Sequence, residues 1–131
     1  MVDVLEELQK RAVVLAICTN RDEKVVKGLV KRFFDGINFK YISGYKKGVP
    51  DKPNPYRLNE IIRAECIDKS EVIYFGDKDA DIQVAYNAQI DMIIVTYGQG
   101  SQEDYDNPYP LRVIDKPEDI LDLINEGIIP I

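Results

Sequence analysis

Three groups of polar residues in this 131-residue chain have side chains suited to binding phosphate and a hard metal ion. Thr19 and Asn20 form the first group, Lys52 lies in a proline-rich loop, and Asp77 and Asp81 form the third. A hydroxyl, or a backbone N–H at the start of a helix, can hold a phosphate oxygen, and an ammonium offsets repulsion between anions. Two adjacent carboxylates stay ionised most readily beside a cation such as Mg²⁺, which prefers carboxylate, water and phosphate oxygens. The residue types therefore indicate a site for a magnesium-bound phosphoryl group.

Each group also has an ordinary structural explanation when it is considered alone. Thr19 is equally well explained as a helix N-cap, Lys52 as an exposed loop lysine, and Asp77 or Asp79 as a cap on the following helix. The joint arrangement is more informative, because residue types, order and positions near strand ends all have to agree. The four-residue spacing also places Asp81 in the first turn of a helix, beside Asp77.

Helical spacing of apolar residues alternates with short continuous apolar runs, as is typical of helices alternating with buried parallel strands. We predict strands over residues 13–18, 39–43, 71–75, 92–95 and 112–114. Helical spacing occurs over residues 4–12, 25–33, 55–62, 82–86 and 117–124, and residues 96–111 are predicted to be loop. The predicted fold class is α/β, a three-layer α-β-α, Rossmann-like parallel sheet. Its ligand site should lie at the carboxyl ends of the strands, where the three polar groups meet.

Composition restricts the partners and the chemistry. A chain of 131 residues is expected to form one domain, and its net charge of −6 argues against nucleic acid or a membrane surface as partner. The absence of histidine excludes His-dependent triads, imidazole bases and most zinc sites. Cys18 and Cys66 are predicted to be reduced. The acidic N-terminus and the short apolar runs predict a cytoplasmic protein.

Read with their apolar neighbours, the three polar groups resemble the second, third and fourth motifs of the haloacid dehalogenase superfamily. The segments that carry this resemblance are residues 16–20, 52–55 and 72–81. Residues 95–98 are similar to that family's last strand and its glycine-containing loop. The segment 43–50, which leads into Lys52, is most similar to the phosphoglycolate phosphatase branch. The resemblance covers nearly all of the chain.

The resemblance implies a single HAD-like core domain over residues 1–131 that takes part in Mg²⁺-dependent hydrolysis of a small phosphorylated metabolite through an aspartyl-phosphate. By the same resemblance, Thr19 and Asn20 would hold the transferring phosphoryl group, and Lys52 would neutralise the nucleophile and the phosphate. Asp77 and Asp81 would anchor Mg²⁺, directly or through water. Thr19 and Lys52 are thus the expected catalytic residues, with roles of stabilisation and positioning.

Two parts of the family pattern are not found in this sequence. Family members begin with an apolar strand ending in Asp-x-Asp, whose first carboxylate attacks phosphorus, and no such strand precedes Thr19 here. The helical cap that lies between the first and second motifs of this branch is also absent. In the family's sheet the missing strand lies between the strands ending at Thr19 and Asp77. We therefore expect the isolated chain to be inactive, marginally stable and prone to self-associate or to bind a complementing chain.

Two other functional classes fit part of the pattern. A receiver or other flavodoxin-like binding module also carries an acid, a threonine and a lysine at one edge of a parallel sheet. Receivers, however, have their paired acids after the first strand, whereas here the threonine comes first and the acids last. The third class is a non-catalytic interaction protein derived from a phosphatase, which would use its exposed central strands to bind another polypeptide.

Overall fold

A computed structural model describes residues 1–129, which form alternating helices and parallel strands, as the sequence predicts. The strands are β1 (Leu15–Asp22), β2 (Phe39–Tyr45), β3 (Ile73–Gly76), β4 (Asp91–Val95) and β5 (Arg112–Ile114). The α-helices are α1 (Val2–Lys10), α2 (Glu23–Phe33), α3 (Tyr56–Glu65), α4 (Asp79–Ala88), α5 (Gln102–Tyr105) and α6 (Asp119–Asn125). A 3₁₀ turn at Lys69–Glu71 precedes β3.

The strands form two parallel sheets. One contains β1 and β2, with Ile17 opposite Ile42, and the other has the order β3-β4-β5, with Phe75 opposite Ile93. Within residues 1–129, β1 pairs only with β2, and β3 pairs only with β4. Each of β1 and β3 therefore keeps one unpaired edge. We call the interval between these two edges the strand gap.

Two apolar cores, one on each face, hold the sheets together in three layers. The first core joins α1 and α6 to Leu15 of β1 and Ile93 of β4, with Phe75 of β3 packed against it. The second joins α3 and α4 to Met92 of β4, with side chains of both β1 and β3 at its margin. Because both cores contain residues from both sheets, the predicted α-β-α layering is confirmed even though the sheet is divided.

The strands beside the gap are less buried than the strand behind them. Met92, Ile93 and Ile94 of β4 are 0% exposed, whereas Leu15 is the one fully buried residue of β1. In β3, Gly76 is buried and the three residues before it are only partly buried. The sequence predicted buried parallel strands, and most of β1 is instead partly buried or exposed. A strand with an unpaired edge stays open to solvent along that edge.

Two further differences concern helices. Residues 96–111, predicted as loop, contain α5, which begins with a capping box in which Ser101 and Asp104 exchange side-chain and backbone hydrogen bonds. On α2, Val26 is buried, but Val25 and Phe33 are 54% and 57% exposed.

No helix within residues 1–129 is long and apolar enough to cross a membrane. Cys18 and Cys66 form no disulfide with each other, Cys18 being partly buried and Cys66 exposed.

Candidate active site

Lys52 and Asp81 form a largely buried ion pair at the carboxyl ends of the strands. Lys52 Nζ lies 2.7 Å from Asp81 Oδ1, and the two side chains are 12% and 6% exposed. The Tyr74 hydroxyl accepts a hydrogen bond from Lys52 Nζ at 3.0 Å and donates one to Asp81 Oδ1 at 3.1 Å. The loop lysine and the second acidic residue of the sequence pattern are thus brought together.

Asp81 is ionised in this environment. Burial alone would raise the pKa of Asp81, but the hydrogen bond from Lys52, the neighbouring Asp77 side chain, the charge of Lys52 and the backbone N–H of Asp77 outweigh it and lower the pKa to about 2. The pKa of Tyr74 is raised, first by burial and then by the charge of Asp81. The Tyr74 hydroxyl therefore keeps its proton and remains a hydrogen-bond donor to the carboxylate.

Asp77 lies next to Asp81 but is held by different contacts. The backbone N–H of Asp77 donates to Asp81 Oδ2 at 2.9 Å, and Asp77 Oδ2 accepts from the backbone N–H of Gln99 at 2.7 Å. Both oxygens of Asp81 therefore accept hydrogen bonds from protein groups. Asp77 Oδ1, in contrast, has no hydrogen-bond donor among residues 1–129 and is free to contact a ligand.

Two glycines allow the carboxylates to lie this close to the backbone. A Cβ added at Gly76 would overlap the side chain of Asp81, and a Cβ added at Gly98 would overlap the carboxylate of Asp77. Gly76 ends β3, and Gly98 lies in the segment after β4 that resembles the family's glycine-containing loop. The close approach of side chain to main chain explains why the loops at this edge carry glycine.

The donor set at this edge fits Mg²⁺. Magnesium is commonly held by one or two carboxylates together with water and substrate phosphate oxygens, rather than by a cage of protein ligands. Residues 1–129 contain no cluster of three or more His, Cys, Asp or Glu side chains able to hold a metal ion. The free Oδ1 of Asp77 suits direct coordination. Asp81, whose oxygens are already engaged, suits contact through water.

Asn20 holds the backbone of Lys52. Asn20 Oδ1 accepts from the Lys52 N–H at 2.9 Å, and Asn20 Nδ2 donates to the Lys52 carbonyl at 3.2 Å. The sequence placed the N–H of Asn20 at the start of a helix, and this expectation is wrong. β1 continues to Asp22, which caps α2 through the N–H of Lys24 at 3.0 Å. The side chain of Asn20 instead holds the backbone of the loop that contains Lys52.

Thr19 lies at the same edge, near the Lys52–Asp81 pair. Its Oγ1 accepts from the backbone N–H of Arg21 at 3.2 Å, which leaves the hydroxyl proton free to be donated to a ligand. Thr19 is not an N-cap, because Asp22 has that role. The carbonyl of the preceding residue, Cys18, lies 3.4 Å from the Tyr74 hydroxyl, which connects the end of β1 to the ion pair.

Arg57 is a buried residue at this edge that the sequence analysis did not identify. It is 5% exposed, and its guanidinium joins the ends of β1 and β2 to the lysine loop. Its acceptors are Thr19 O at 2.6 Å, Ser43 O at 3.2 Å, Asn20 Oδ1 at 2.8 Å, Asp51 Oδ1 at 3.2 Å and Pro50 O at 3.2 Å. The available signal was an arginine beside the apolar stripe of the third predicted helix.

The chain resembles a known protein family. A family model for haloacid dehalogenase-like hydrolases matches residues 1–95. The chain belongs to this family. The family assignment also separates it from the receivers, which combine similar residue types in a different order.

Several relatives of this haloacid dehalogenase-like chain are phosphatases. It is 29% identical to a phosphoglycolate phosphatase of Pseudomonas putida over 86% of this chain and 42% of that protein. It is 30% identical to a phosphoglycolate phosphatase of Pectobacterium atrosepticum over 95% of this chain and 53% of that protein. A Clostridium difficile crystal structure assigned as a phosphatase superposes with a TM-score of 0.85 at 28% identity, covering 95% of this chain and 58% of the other. The chain thus spans about half the length of the curated relatives it matches.

Proposed function

We propose that this haloacid dehalogenase-like chain provides the phosphate-binding and Mg²⁺-binding part of a cytoplasmic phosphatase that acts on a small phosphate monoester. The observation that carries the proposal is the buried Lys52–Asp81 pair, 2.7 Å apart, with the free Oδ1 of Asp77 beside it. The phosphoglycolate phosphatases among its relatives favour phosphoglycolate as the substrate. The reaction would proceed through an aspartyl-phosphate, as the family resemblance implies.

Each residue has a defined task in this proposal. The ammonium of Lys52 would offset the charge of the phosphoryl oxygens, and the Thr19 hydroxyl would donate a hydrogen bond to one of them. Asn20 would keep the Lys52 loop in place through its two backbone contacts. Asp77 would bind Mg²⁺ directly and Asp81 through water. The metal would supply additional neutralisation of the developing negative charge.

These tasks are binding and positioning, so we propose that the 131-residue chain by itself binds phosphate but does not hydrolyse it. In the family pattern, the attacking carboxylate comes from an Asp-x-Asp strand, and no such strand precedes Thr19 in this sequence. Asp81 is a poor substitute because both of its oxygens accept hydrogen bonds from the protein. Turnover of an aryl phosphate by the pure chain, dependent on Mg²⁺ and abolished by Asp77→Asn, would show that this part of the proposal is wrong.

Calorimetric titration with inorganic phosphate, with and without Mg²⁺, tests the binding part of the proposal. We expect phosphate to bind more tightly when Mg²⁺ is present, because the metal and the phosphate oxygens share the site. Lys52→Met should weaken phosphate binding by about tenfold or more, since it removes a charge-assisted hydrogen bond. Lys47→Met, in an exposed part of the same loop region, is the matched control and should leave the affinity unchanged. Equal phosphate affinity in the Lys52→Met and parent chains would reject the site.

A further inference from the structure

We propose that a trough along α4 binds a linear polyamine, that is, a chain of ammonium groups separated by methylenes. One face of α4 and residues 107–109 line this trough, and two tyrosine rings form its middle. We call it the tyrosine trough. Thr19, Lys52, Asp77 and Asp81 do not line it, so this inference goes beyond the proposed function.

The tyrosine trough is long and open. It consists of two cavities of about 500 Å³ and 460 Å³, which share Tyr86, Asn87 and Tyr109. The first cavity includes Asp79 in the first turn of α4, and the second includes Asp91 at the start of β4. The 10 residues of α4 span about 15 Å. A trough of this length suits an extended ligand better than a compact one.

Tyr86 and Tyr109 form the middle of the trough. Their ring centroids are 5.4 Å apart and the ring planes meet at 73°. Tyr109 is fixed, because its hydroxyl donates to the Ile90 carbonyl at 2.6 Å. Tyr86 is 65% exposed, so its ring is accessible to a ligand. Methylene groups pack against such rings, and an ammonium over a ring face is attracted by the π electrons.

The two ends of the trough are acidic. Neither Asp79 nor Asp91 belongs to an ion pair among residues 1–129. Within the same residues, no lysine or arginine lines either cavity. The carboxyl end of α4, which precedes Asp91, adds the partial negative charge of a helix C-terminus. Burial first, and then the charge of Asp91, raise the pKa of Tyr109, so this negative charge reaches the middle of the trough.

Hydrogen-bond acceptors lie between the acidic ends. Gln83 Nε2 donates to Asp79 Oδ2, and Asn87 Nδ2 donates to the Pro53 carbonyl at 3.0 Å. These bonds orient the two amides. Their oxygens accept from no donor in the part of the chain that the structure describes, and an amide oxygen can only accept. The trough therefore suits a ligand that carries N–H donors along its length.

A polyamine matches these features better than other small ligands do. Asp79 and Asp91 lie at opposite ends of α4, too far apart to coordinate one metal ion. An anion would be repelled by both carboxylates, and an apolar chain would leave the amide oxygens without a donor. In a polyamine, the terminal ammonium groups reach the two acids and the interior ones donate to the amide oxygens. The methylenes between them pack on the tyrosine rings.

Calorimetric titration of the chain with spermine, without Mg²⁺ or phosphate, tests the site. Spermine approaches the length of the trough, whereas the diamine putrescine reaches only one acidic end. We expect spermine to bind about tenfold or more tightly than putrescine, since its groups act together. An α,ω-diaminododecane has the length of spermine but no interior ammonium groups. It should bind about threefold or more weakly than spermine, because the amide oxygens receive no donor.

Substitutions at exposed positions test the acid and the ring separately. Asp91→Asn should weaken spermine binding by about tenfold. Asp122→Asn removes the same charge from α6 and controls for the general attraction of cations to an acidic chain, so its effect should be much smaller. Tyr86→Leu should weaken spermine binding by about threefold, because it removes the ring but not the apolar surface. Tyr86→Phe keeps the ring and should bind spermine like the parent chain.

Nuclear magnetic resonance locates the bound ligand. Spermine should shift backbone amide signals within residues 79–91 and 107–109, and leave those of α6 unchanged. Signals that shift mainly outside these ranges would overturn the proposal. So would equal effects of Asp91→Asn and Asp122→Asn, equal affinities of Tyr86→Leu and Tyr86→Phe, or binding of putrescine or the diaminododecane as tight as that of spermine. Loss of phosphate binding with spermine binding intact would contradict the proposed function alone.

Discussion

Lys52 and Asp81 hold each other in place: Nζ and Oδ1 are 2.7 Å apart, and the Tyr74 hydroxyl contacts both. Lys52 comes from the loop after β2 and Asp81 from the first turns of α4, so the pair joins the two sheets across the strand gap. A cation held in a fixed position can stabilise an anionic ligand without the reorganisation that a mobile lysine requires.

The stability of the chain should fall in acid because of Asp81. Its pKa is lowered from 3.8 to about 2, so the native state favours the ionised form. A group with a depressed native pKa contributes its stability above the unfolded-state pKa and loses it as the pH falls through the native one. We expect about 2 kcal/mol to be lost between pH 4 and pH 2, from the difference between the two pKa values.

Urea denaturation of the parent chain and of Asp81→Asn, in the presence of EDTA, measures this loss. Asp81→Asn should be less stable at pH 6 and should lack the part of the acid dependence that Asp81 contributes. Asp122→Asn changes an exposed acid on α6 and serves as the matched control. Parallel pH profiles for the parent and Asp81→Asn would contradict the prediction.

Arg57→Lys should destabilise the chain although it conserves the charge. A lysine ammonium cannot reproduce the set of hydrogen bonds that the buried guanidinium makes to the strand ends and the loop. Buried acceptors left without a donor, together with a buried unpaired charge, should lower the free energy of unfolding by about 3 kcal/mol.

Arg63→Lys is the corresponding control on the same helix. Arg63 pairs with Glu60 at the surface, where its side chain is 69% exposed, and the change should alter the free energy of unfolding by less than about 0.5 kcal/mol. Urea denaturation at neutral pH would measure the change in the free energy of unfolding for both variants. A similar effect for Arg57→Lys and Arg63→Lys would show that Arg57 is not the structural centre of this edge.

Asn20→Ala should weaken phosphate binding more than it weakens the fold. The substitution frees the Lys52 backbone at both N–H and carbonyl, so the ammonium loses its fixed position. We expect the dissociation constant for inorganic phosphate to rise about tenfold, since small displacements of a positioned group have large effects on binding and catalysis. Asn38→Ala, at an exposed position before β2, is the control. If phosphate affinity and stability fall together in both variants, Asn20 has no positioning role.

Gly98→Ala should lower the affinity for Mg²⁺. The new methyl group would overlap Oδ2, Cγ and Cβ of Asp77, so the whole carboxylate would have to move, including the Oδ1 expected to contact the metal. Gly28→Ala is a contrasting substitution, because a Cβ at this position in α2 meets nothing within 4 Å. Replacing a glycine inside a helix should stabilise the chain by about 0.5–1 kcal/mol. Calorimetric Mg²⁺ titration and urea denaturation of both variants give the comparison, and unchanged Mg²⁺ affinity in Gly98→Ala would argue against Asp77 as ligand.

The sequence was sufficient for those features that depend on local pattern. Short segments rich in β-branched and aromatic residues located all five strands, and Gly76-Asp77 marked the turn into α4. The meeting of Lys52 with Asp81 followed from parallel connectivity, which places the carboxyl ends of all strands at one edge. Lys52 and Asp81 are 29 positions apart in the chain, so only the topology of the sheet, and no local sequence pattern, predicts that they lie at the same edge.

Features that depend on contacts between distant segments were not accessible in the same way. Arg57 joins the strand ends by donating hydrogen bonds to the backbone carbonyls of Thr19, Ser43 and Pro50. Every residue has a backbone carbonyl, so the sequence pattern does not show which carbonyls will accept from an arginine. The N–H of Asn20 does not lie at the start of a helix, because β1 continues to Asp22 and Asp22 caps α2. Pattern alone also left open whether β1 and β3 pair directly.

The partial solvent exposure of β1 and β3 affects the thermodynamics of unfolding. Unfolding exposes less new apolar surface when the strands beside the gap are already partly in contact with water. The heat-capacity increment and the denaturant m-value both scale with the surface newly exposed on unfolding. The chain should therefore show a shallower urea transition and a flatter stability curve than an unbroken sheet of equal length.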